Sequence, residues 1–205
     1  MIQDIKKINF TKLNGLVPVV VQDNHTLQVL MVGFMNEEAL HLTLASSKVT
    51  FYSRTKQRIW QKGETSGHFL NVVDMFLDCD EDSILILANP VGPTCHTGSL
   101  SCFQKHELPP LSHIGYLDKI ISERILYPQD NSYTNQLIAK GLNKVAQKVG
   151  EEGVEVVIAA LAETQDEYLG EMTDLIYHML VLMHVKKVSL KDIAAVIAER
   201  HKRKR

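Results

Sequence analysis

The segment from Asp78 to Cys102, DCDEDSILILANPVGPTCHTGSLSC, contains all three cysteines of the chain and three closely spaced aspartates. If residues 77–82 are extended, the two-residue repeat of a strand places Asp78, Asp80 and Asp82 on one side. Converging carboxylates repel one another unless a hard cation neutralises them, and Mg²⁺ prefers oxygen ligands. The spacing therefore predicts a magnesium site, with a solvated acidic turn as the alternative.

The cysteines of this segment suit a softer metal. On an extended strand Cys79 points away from the aspartates, and Cys95 and Cys102 follow it in the chain. Three thiolates are one short of a closed four-cysteine zinc site, which leaves a coordination position for water. Bound zinc lowers the pKa of water from about 15.7 to about 7, so hydroxide becomes available at neutral pH. Buried thiols, or one disulfide and a spare cysteine, are the alternatives.

His96 adjoins Cys95, and its role is open at this point: a fourth metal ligand, a general base or a surface histidine. Gly92, Pro93 and Gly98 are turn-forming residues that predict a loop around Cys95. Loops at the surface are accessible to substrate. The region is therefore a candidate catalytic centre.

Residues 54–68, RTKQRIWQKGETSGH, combine a tryptophan with basic side chains and a glycine-bounded turn. The donors of Arg54, Lys56, Arg58 and Lys62 suit a phosphate, and Trp60 could stack on a base. The composition predicts an anion-binding loop. An exposed basic hairpin with a core tryptophan is the alternative.

Two pairs of acidic residues stand at i, i+3 in the C-terminal half, Glu152 with Glu155 and Glu171 with Asp174. Each pair projects from one face of its helix, beside apolar residues. Carboxylates near a bundle interior cost several kcal/mol each without compensation. Mg²⁺ provides that compensation and can bridge a polyphosphate. The two pairs therefore predict a second magnesium site.

Lys144 and Lys148 lie on the helix that is predicted to precede the first of these pairs. They are predicted to contact phosphate or to form salt bridges with the neighbouring carboxylates. The alternative for the whole group is a solvated helix face, which is where most acidic pairs on helices lie.

The hydrophobic pattern changes character after Phe103. Before it, Val-rich and Leu-rich segments predict a hairpin (16–21 and 26–32), a short helix capped by Asn36 (to 45), and further strands of a largely antiparallel sheet (49–53, 71–77 and 83–88). After it, apolar spacing of three and four predicts helices over 117–126, 133–149, 151–163, 166–185 and 189–200. Ser189 and Asp192 form a predicted cap of the last helix.

This change predicts two domains. The first, residues 1–105, is a mainly-β (β-rich α+β) metal-binding domain. Residues 106–112 contain a Pro-Pro pair and are predicted to be a linker. The second domain, residues 113–205, is predicted to be an all-α helical bundle.

The composition of the 205 residues is that of a globular protein. A net charge of −2 and a pI near 6.5 argue against binding to nucleic acid through bulk charge. No segment reaches the roughly 18 uninterrupted apolar residues of a membrane span. The first ten residues lack the apolar run of a signal peptide, so we expect a cytoplasmic protein with reduced thiols.

The longer motifs resemble two known families. Residues 16–104 resemble phosphoribosyl-AMP cyclohydrolases through FYSRTKQRIWQKGETSGHFLNV, DCDED and GPTCHTGSLSCF. Residues 113–203 resemble phosphoribosyl-ATP pyrophosphatases of the all-α nucleotide pyrophosphohydrolase type through PQDNSYTNQL, KVGEEGVE and EMTDLIYH. The resemblance implies a fused, bifunctional hydrolase of histidine biosynthesis acting on nucleotide substrates.

For the first domain, the resemblance implies that water on zinc attacks C6 of the adenine ring and opens the N1–C6 bond, with His96 as a proton carrier. It also implies a homodimer in which the zinc site is shared between subunits. The implied residues are Asp78, Asp80 and Asp82 for Mg²⁺; Cys79, Cys95 and Cys102 for Zn²⁺; and Arg54, Lys62, Glu64, Thr65 and Ser66 for the substrate.

For the second domain, the resemblance implies that Glu152, Glu155, Glu171 and Asp174 hold Mg²⁺ on the triphosphate. Water then cleaves between the α and β phosphates, with Glu151 as a possible base. The product of this domain would be the substrate of the first. A rival hypothesis is a house-cleaning nucleotide pyrophosphatase fused to a structural zinc-binding dimerisation module.

Overall fold

The computed structural model describes residues 7–103 and 110–202 of the chain. The chain divides into two compact units, Met1–Tyr116 and Leu117–Arg205. In the part of each that is described, the first is rich in β-structure and the second is helical. This confirms the predicted division into a β-rich and an all-α region.

The first unit is built on a four-stranded sheet in the order β2-β1-β6-β5. Its elements are a short 3-10 helix (Phe10–Lys12), β1 (Val17–Asp23), β2 (Val29–Met35), α1 (Glu37–Ser46), β3 (Thr50–Ser53), β4 (Arg58–Gln61), β5 (Leu70–Leu77) and β6 (Ile84–Pro90). Alternate residues of β1 are fully buried, at Val17, Val19 and Val21. The period of two thus forms one wall of the core.

The pairing of strands is antiparallel for β1 with β2 and for β5 with β6. The two central strands, β1 and β6, are parallel, with Val19 opposite Ile84 and Asp23 opposite Ala88. The predicted largely antiparallel sheet is therefore confirmed, with one parallel pair at its centre.

The predicted loop over residues 54–68 is partly wrong, because β4 pairs with β3 in an antiparallel hairpin. Phe51 lies opposite Trp60, and their ring centroids are 5.3 Å apart. Trp60 packs against the hydrophobic core. Burial of two large aromatic rings stabilises the hairpin, which is the alternative that the sequence left open.

The extended segment predicted over residues 77–82 is also wrong. β5 ends at Leu77, and the chain then turns before β6 starts at Ile84. Glu81 has a left-handed backbone, with φ of 61°. Strand alternation therefore does not explain where the aspartates of this segment point.

The second region consists of packed helices: α2 (Pro110–Leu126), α3 (Tyr133–Ala139), α4 (Leu142–Ala162), α5 (Gln165–Val185) and α6 (Leu190–Lys202). α2 begins before the unit boundary, so the last residues of the predicted 106–112 linker are helical, and residues 106–109 lie outside the described part. Proline is favoured at the first position of a helix, because its missing N–H has no partner there. Within the first unit, the Ser112 hydroxyl donates to the Thr26 carbonyl at 2.5 Å.

The helix break predicted near Gly150 is wrong. The break falls at Gly141, whose φ of 86° is the left-handed conformation that glycine adopts without strain. α4 then continues through Gly150 and Gly153. As a result, Lys148, Glu152 and their neighbours share one uninterrupted helix.

Hydrogen bonds at the helix starts agree with the predicted caps. Asn36 accepts from Ala39 N at 2.9 Å, and Ser189 and Asp192 bond each other reciprocally. A further capping box, Thr164 with Glu167, starts α5 and was not predicted. Within the described residues, each helix is too short or too polar to cross a bilayer.

Candidate active sites

A cleft of about 420 Å³ opens on the first unit and contains most of the predicted cyclohydrolase residues. Residues 60–66 of β4 and the turn after it form one wall, and residues 93–98 of the loop after β6 contribute to the other. The predicted residues at this cleft are Lys62, Glu64, Thr65, Ser66, Cys95, His96 and Cys102. Trp60, which was predicted to stack on a base, also lines it, and so do His68 and Met31, which were not predicted as site residues.

Arg54 is placed elsewhere in the structure. Its guanidinium lies 3.8 Å from the centre of the Phe34 ring, and it is absent from the described lining of the cleft. Stacking on an aromatic face is a common contact of arginine. A role in substrate binding by Arg54 therefore remains a prediction.

The loop that carries Cys95 and Cys102 is fixed to β2. Cys102 N donates to the Leu30 carbonyl at 2.8 Å, and the buried Ser101 hydroxyl donates to the Val29 carbonyl at 2.7 Å. Cys95 N donates to the Ser99 carbonyl at 2.9 Å, which closes the turn at this cysteine. The loop therefore holds both thiols at the cleft through backbone bonds.

Cys95 and Cys102 are near enough for each thiol to shift the pKa of the other. A hydrogen bond from the Thr97 hydroxyl, 3.2 Å from Cys95 Sγ, is the main cause of the lowered pKa of that thiol. Partial desolvation raises the pKa of Cys102. His96 Nδ1 lies 3.8 Å from Cys95 Sγ. A thiol with a lowered pKa, a second thiol and an imidazole together form a donor set that suits zinc.

Cys79 is absent from the described lining of the cleft that holds these two thiols. It is exposed on the turn between β5 and β6. In the described part of a single chain, the three sulfurs do not form a group with mutual distances under 4.8 Å. A three-cysteine site therefore remains a prediction.

Lys62 is a buried cation at the wall of the cleft, 8 % exposed. Its ammonium donates to the His68 carbonyl at 3.1 Å. Burial lowers its pKa, although the nearby Cys102 and Cys95 act in the opposite direction. The next residue, Gly63, has a φ of 92°, and a Cβ there would lie 2.6 Å from the His68 backbone. Only glycine allows this close approach.

Glu64 is held by Arg58, whose Nη2 lies 2.6 Å from Glu64 Oε1. Gln61 N also donates to this carboxylate, at 3.2 Å. The hydrogen bond from Arg58 is the main reason that the pKa of Glu64 is lowered. Arg58 thus positions a predicted substrate contact.

The three aspartates converge through the turn after β5. Asp78 Oδ1 accepts from the backbone N–H groups of Asp82 and Ser83, both at 3.0 Å. Desolvation would raise the pKa of Asp78, but these hydrogen bonds outweigh it and the pKa is lowered. Carboxylate oxygens of Asp78, Asp80 and Asp82 lie within 4.8 Å of one another. The predicted cluster thus exists, although its cause is a turn and not a strand.

Lys12 is a member of this cluster that the sequence did not reveal. Its Nζ lies 2.5 Å from Asp80 Oδ2 and 2.7 Å from Asp82 Oδ2, and these hydrogen bonds raise the pKa of Lys12. Lys12 ends the 3-10 helix, which is joined to the turn by a 2.7 Å bond from Asn9 N to the Glu81 carbonyl. Lys12 is far from the aspartates in the sequence, so this contact could not be predicted from residue spacing.

A second carboxylate cluster lies between α4 and α5. Oxygens of Glu152, Glu171 and Asp174 lie within 4.8 Å of one another, and Glu152 is 4 % exposed. Desolvation raises the pKa of Glu155, and the negative charges of Glu152 and Glu171 add to this effect. The structure therefore brings the four predicted acidic residues close together.

Lys148 is the cation nearest to this cluster in the described residues. Its Nζ lies 2.7 Å from Glu152 Oε1 and 2.9 Å from Glu151 Oε1, and the two bonds raise the pKa of Lys148. The bond from Lys148 is the main cause of the lowered pKa of Glu151. Lys144 instead contacts Gln147 at 3.2 Å. Of the two roles predicted for Lys148, a phosphate contact or a salt bridge, the structure contains the salt bridge.

Four further residues beside the carboxylates were not predicted as site residues. His178 is 4 % exposed and bonds Tyr133 OH through Nε2 at 3.2 Å. Tyr177 OH bonds Thr134 Oγ1 at 2.8 Å. Tyr133 and Thr134 belong to the motif PQDNSYTNQL, and Tyr177 and His178 to EMTDLIYH, so the motifs were a usable signal.

Comparison with known proteins agrees with this division into two sites. The family model of phosphoribosyl-AMP cyclohydrolase matches residues 31–104, and that of phosphoribosyl-ATP pyrophosphohydrolase matches residues 115–201. These matches define a bifunctional enzyme with a cyclohydrolase domain and a pyrophosphohydrolase domain.

Close relatives extend over nearly the whole chain. The histidine biosynthesis bifunctional protein HisIE of Pasteurella multocida is 51% identical over 198 residues, which is 95% of this chain and 98% of the relative. The HisIE proteins of Campylobacter jejuni (50% identical; 96% of each chain) and Haemophilus influenzae (49%; 97% of this chain and 94% of the relative) are similar. The chain belongs to the bifunctional HisIE family of histidine biosynthesis.

Proposed function

We propose that the helical domain cleaves phosphoribosyl-ATP to phosphoribosyl-AMP and pyrophosphate. The β-rich domain then hydrolyses the N1–C6 bond of the adenine ring of phosphoribosyl-AMP. The main support is the presence of two sites with different ligand chemistry, thiols at the cleft and carboxylates between α4 and α5. Soft and hard donors suit different metals and different reactions.

The donor sets suit the metals that we propose. Cys95 and Cys102, two adjacent thiols with opposite pKa shifts, would be zinc ligands. The aspartate turn already holds a cation, the Lys12 ammonium, and so suits a hard cation such as Mg²⁺. When bound, zinc supplies a Lewis acid that makes water a better nucleophile at neutral pH.

The remaining residues of the cleft would bind the substrate and move protons. His96, beside Cys95, is proposed to carry the proton released by the attacking water and to deliver it to the ring nitrogen. Lys62 offers a buried positive charge to a phosphate, and Glu64, Thr65 and Ser66 offer hydrogen-bonding groups on the same wall. Arg54, which lies outside the described lining of the cleft, is retained as a proposed substrate contact.

We propose a homodimer in which Cys79 completes the zinc site of the partner subunit. The support is that Cys79 is exposed and is absent from the described lining of the cleft that Cys95 and Cys102 share. An exposed thiol on a turn is available to a second chain. The proposed compartment is the cytoplasm, where thiols stay reduced.

In the helical domain, Glu152, Glu155, Glu171 and Asp174 would hold Mg²⁺ against the triphosphate. The cluster fits this ion because its carboxylates are close together and one of them, Glu152, is buried, which is costly without a cation. When bound, Mg²⁺ neutralises the charge that develops on the leaving pyrophosphate.

The proposed base and phosphate contacts lie on the same helix, α4. Glu151 is the proposed general base, at the exposed edge of the cluster. Lys148 and Lys144 would contact the phosphates, and Lys148 would then exchange a carboxylate partner for a phosphate oxygen.

The experiment that tests this function follows two signals in one reaction. Purified protein receives phosphoribosyl-ATP with Mg²⁺ and Zn²⁺, and both pyrophosphate release and purine-ring opening are measured. Both signals are expected. Pyrophosphate alone would favour a house-cleaning pyrophosphatase with a structural zinc module, and neither signal from folded, metal-loaded protein would overturn the proposal.

A further inference from the structure

His178 is a buried imidazole that links the two helices of the carboxylate cluster. Its Nδ1 lies 2.9 Å from the Asp174 carbonyl and 3.6 Å from Glu152 Oε1. Its Nε2 lies 3.2 Å from the Tyr133 hydroxyl. The ring therefore contacts α5, α4 and the first residue of α3 at the same time.

The hydrogen-bond partners determine which ring nitrogen carries the proton. The Asp174 carbonyl can only accept, so Nδ1 must be the donor in that bond. In the neutral ring Nε2 is then an acceptor, and the Tyr133 hydroxyl donates to it. The Asp174 carbonyl thus selects the tautomer in which the Nδ1–H group faces it and the Glu152 carboxylate, and the Tyr133 hydroxyl holds the ring at Nε2.

Neighbouring groups restrict the ring further. The rings of Tyr133 and Tyr177 meet it edge to face, with centroids 6.1 Å and 5.0 Å from that of His178. Glu152 Oε1 is enclosed between Lys148 Nζ at 2.7 Å and His178 Nδ1. The hydrogen bond from Lys148 and the imidazole beside it restrict the orientation of this carboxylate toward the rest of the cluster.

We propose that His178 is a positioning residue for the pyrophosphohydrolase site, and that the hydrogen bond from the Tyr133 hydroxyl holds its ring in place. His178 orients Glu152 from α4 toward the Glu171–Asp174 turn of α5, so that the carboxylates are arranged for Mg²⁺ before the ion arrives. Groups that orient metal ligands in this way typically account for about 10–100-fold in metal affinity or activity. This inference rests on the proposed magnesium site.

The first test replaces His178 in the full-length protein. His178→Leu is expected to raise the Mg²⁺ concentration for half-maximal pyrophosphate release by about 10–100-fold. Calorimetric titration with Mg²⁺ should show the same loss at the site that Glu171→Gln removes. His178→Asn, whose amide N–H can replace Nδ1–H, is expected to recover part of the affinity. Circular dichroism at helical wavelengths reports that the helical domain of each variant is folded, and ring opening of phosphoribosyl-AMP reports the same for the β-rich domain.

A matched pair of tyrosine variants gives a second test that does not depend on a substitution in the core. Tyr133→Phe and Tyr177→Phe each remove one hydroxyl and keep the ring, but the Tyr133 hydroxyl bonds His178 whereas the Tyr177 hydroxyl bonds Thr134. The Mg²⁺ requirement is expected to increase for Tyr133→Phe, by less than for His178→Leu, and to stay unchanged for Tyr177→Phe.

The outcomes distinguish failure of the positioning role of His178 from failure of the proposed function of the helical domain. An unchanged Mg²⁺ requirement in His178→Leu, or equal shifts in the two tyrosine variants, would overturn the positioning role. Wild-type protein that releases no pyrophosphate with Mg²⁺ would instead overturn the proposed function of the helical domain.

Discussion

Lys12 and a divalent cation require the same oxygen atoms at the aspartate turn. The ammonium contacts Oδ2 of both Asp80 and Asp82. Opposite charges at such distances attract strongly, and Mg²⁺ must displace or rearrange this contact before it can bind those oxygens. The chain itself therefore carries a competitor for its proposed metal.

We expect Lys12→Met to bind Mg²⁺ more tightly than the parent at this turn. The measurement is a calorimetric titration of full-length chains that also carry Glu171→Gln, so that the helical site does not contribute. Lys56→Met, which removes an exposed charge on the β3–β4 connection, serves as the control and should bind as the parent does. Weaker binding by Lys12→Met would show that Lys12 assists the metal and does not compete with it.

Cys95 is the residue at which the thiol cleft can be tested most directly. We expect Cys95→Ala to lose ring opening by about 100-fold or more, since a catalytic metal loses a ligand and its fixed geometry. Pyrophosphate release by the same protein should persist. A dimer that stays intact, by sedimentation, while ring opening is lost would count against a purely structural zinc module.

At the scale of elements, replacing glycine by alanine is expected to have opposite effects on stability at two positions, one in β2 and one in α4. A Cβ on Gly33 of β2 would lie 2.4 Å from two ring carbons of the buried Phe51. A Cβ on Gly150 of α4 has no described atom within 4 Å. We expect Gly33→Ala to destabilise the β-rich domain by about 1–3 kcal/mol and Gly150→Ala to stabilise the helical domain by about 0.5–1 kcal/mol.

The two domains can be followed separately in urea. Fluorescence of Trp60, the single tryptophan, reports the first domain, and circular dichroism at helical wavelengths reports mainly the second. A stable Gly33→Ala protein would mean that the Phe51 ring moves aside without cost. Destabilisation by Gly150→Ala would show that another surface packs against this part of α4.

The capping box at the start of α5 predicts a dependence of stability on pH. A hydrogen bond from the Thr164 hydroxyl, and a second from its backbone N–H, lower the pKa of Glu167 from 4.5. A lowered pKa in the folded state means that the ionised carboxylate stabilises the helix. This stabilisation is present above pH 4.5 and is lost as the pH falls through the lowered value.

Glu167→Gln should therefore have a lower melting temperature than the parent at pH 7, and the difference should shrink in acid. Thermal melts at pH 7 and pH 3 measure it. Glu163→Gln removes a charge outside the capping box and is the control. A difference that is equal at both pH values would mean that ionisation of Glu167 does not stabilise α5.

The elements show which features the sequence could specify. Local signals were sufficient for the Asn36 and Ser189 caps and for the strand pattern of β1, because these depend on neighbouring residues. The turn at Asp78 was only the alternative to a strand, because alternating charged residues resemble a strand until backbone hydrogen bonds to the aspartate are known. Gly150 was taken for a break because glycine is unfavourable in helices, although α4 tolerates it.

In the candidate sites, too, features set by local sequence could be predicted and features set by distant residues could not. Acidic residues at i, i+3 on α4 and α5 could be predicted, since the helix period sets which residues share a face. Lys12 and His178 could not be assigned from spacing, because their contacts join residues far apart in the chain. Long-range contacts depend on the packed fold and not on local pattern.

At the scale of the whole molecule, the two activities should be separable. We expect Glu155→Gln to lower pyrophosphate release by about 100-fold or more, because a carboxylate that faces Glu152 and Glu171 is removed from the site. Ring opening of added phosphoribosyl-AMP should be unchanged. Equal loss of both activities in a folded protein would contradict the assignment of one reaction to each domain.

The parallel pairing of β1 with β6 also constrains how the chain is made. β1 and β2 are close in sequence and can pair early, but the other edge of β1 must wait until β6 has been synthesised. Meanwhile the buried face of Val17, Val19 and Val21 and an unpaired row of backbone groups are exposed, which favours aggregation. Prematurely terminated chains that end before residue 84 are therefore expected to aggregate, which sedimentation of such fragments would show.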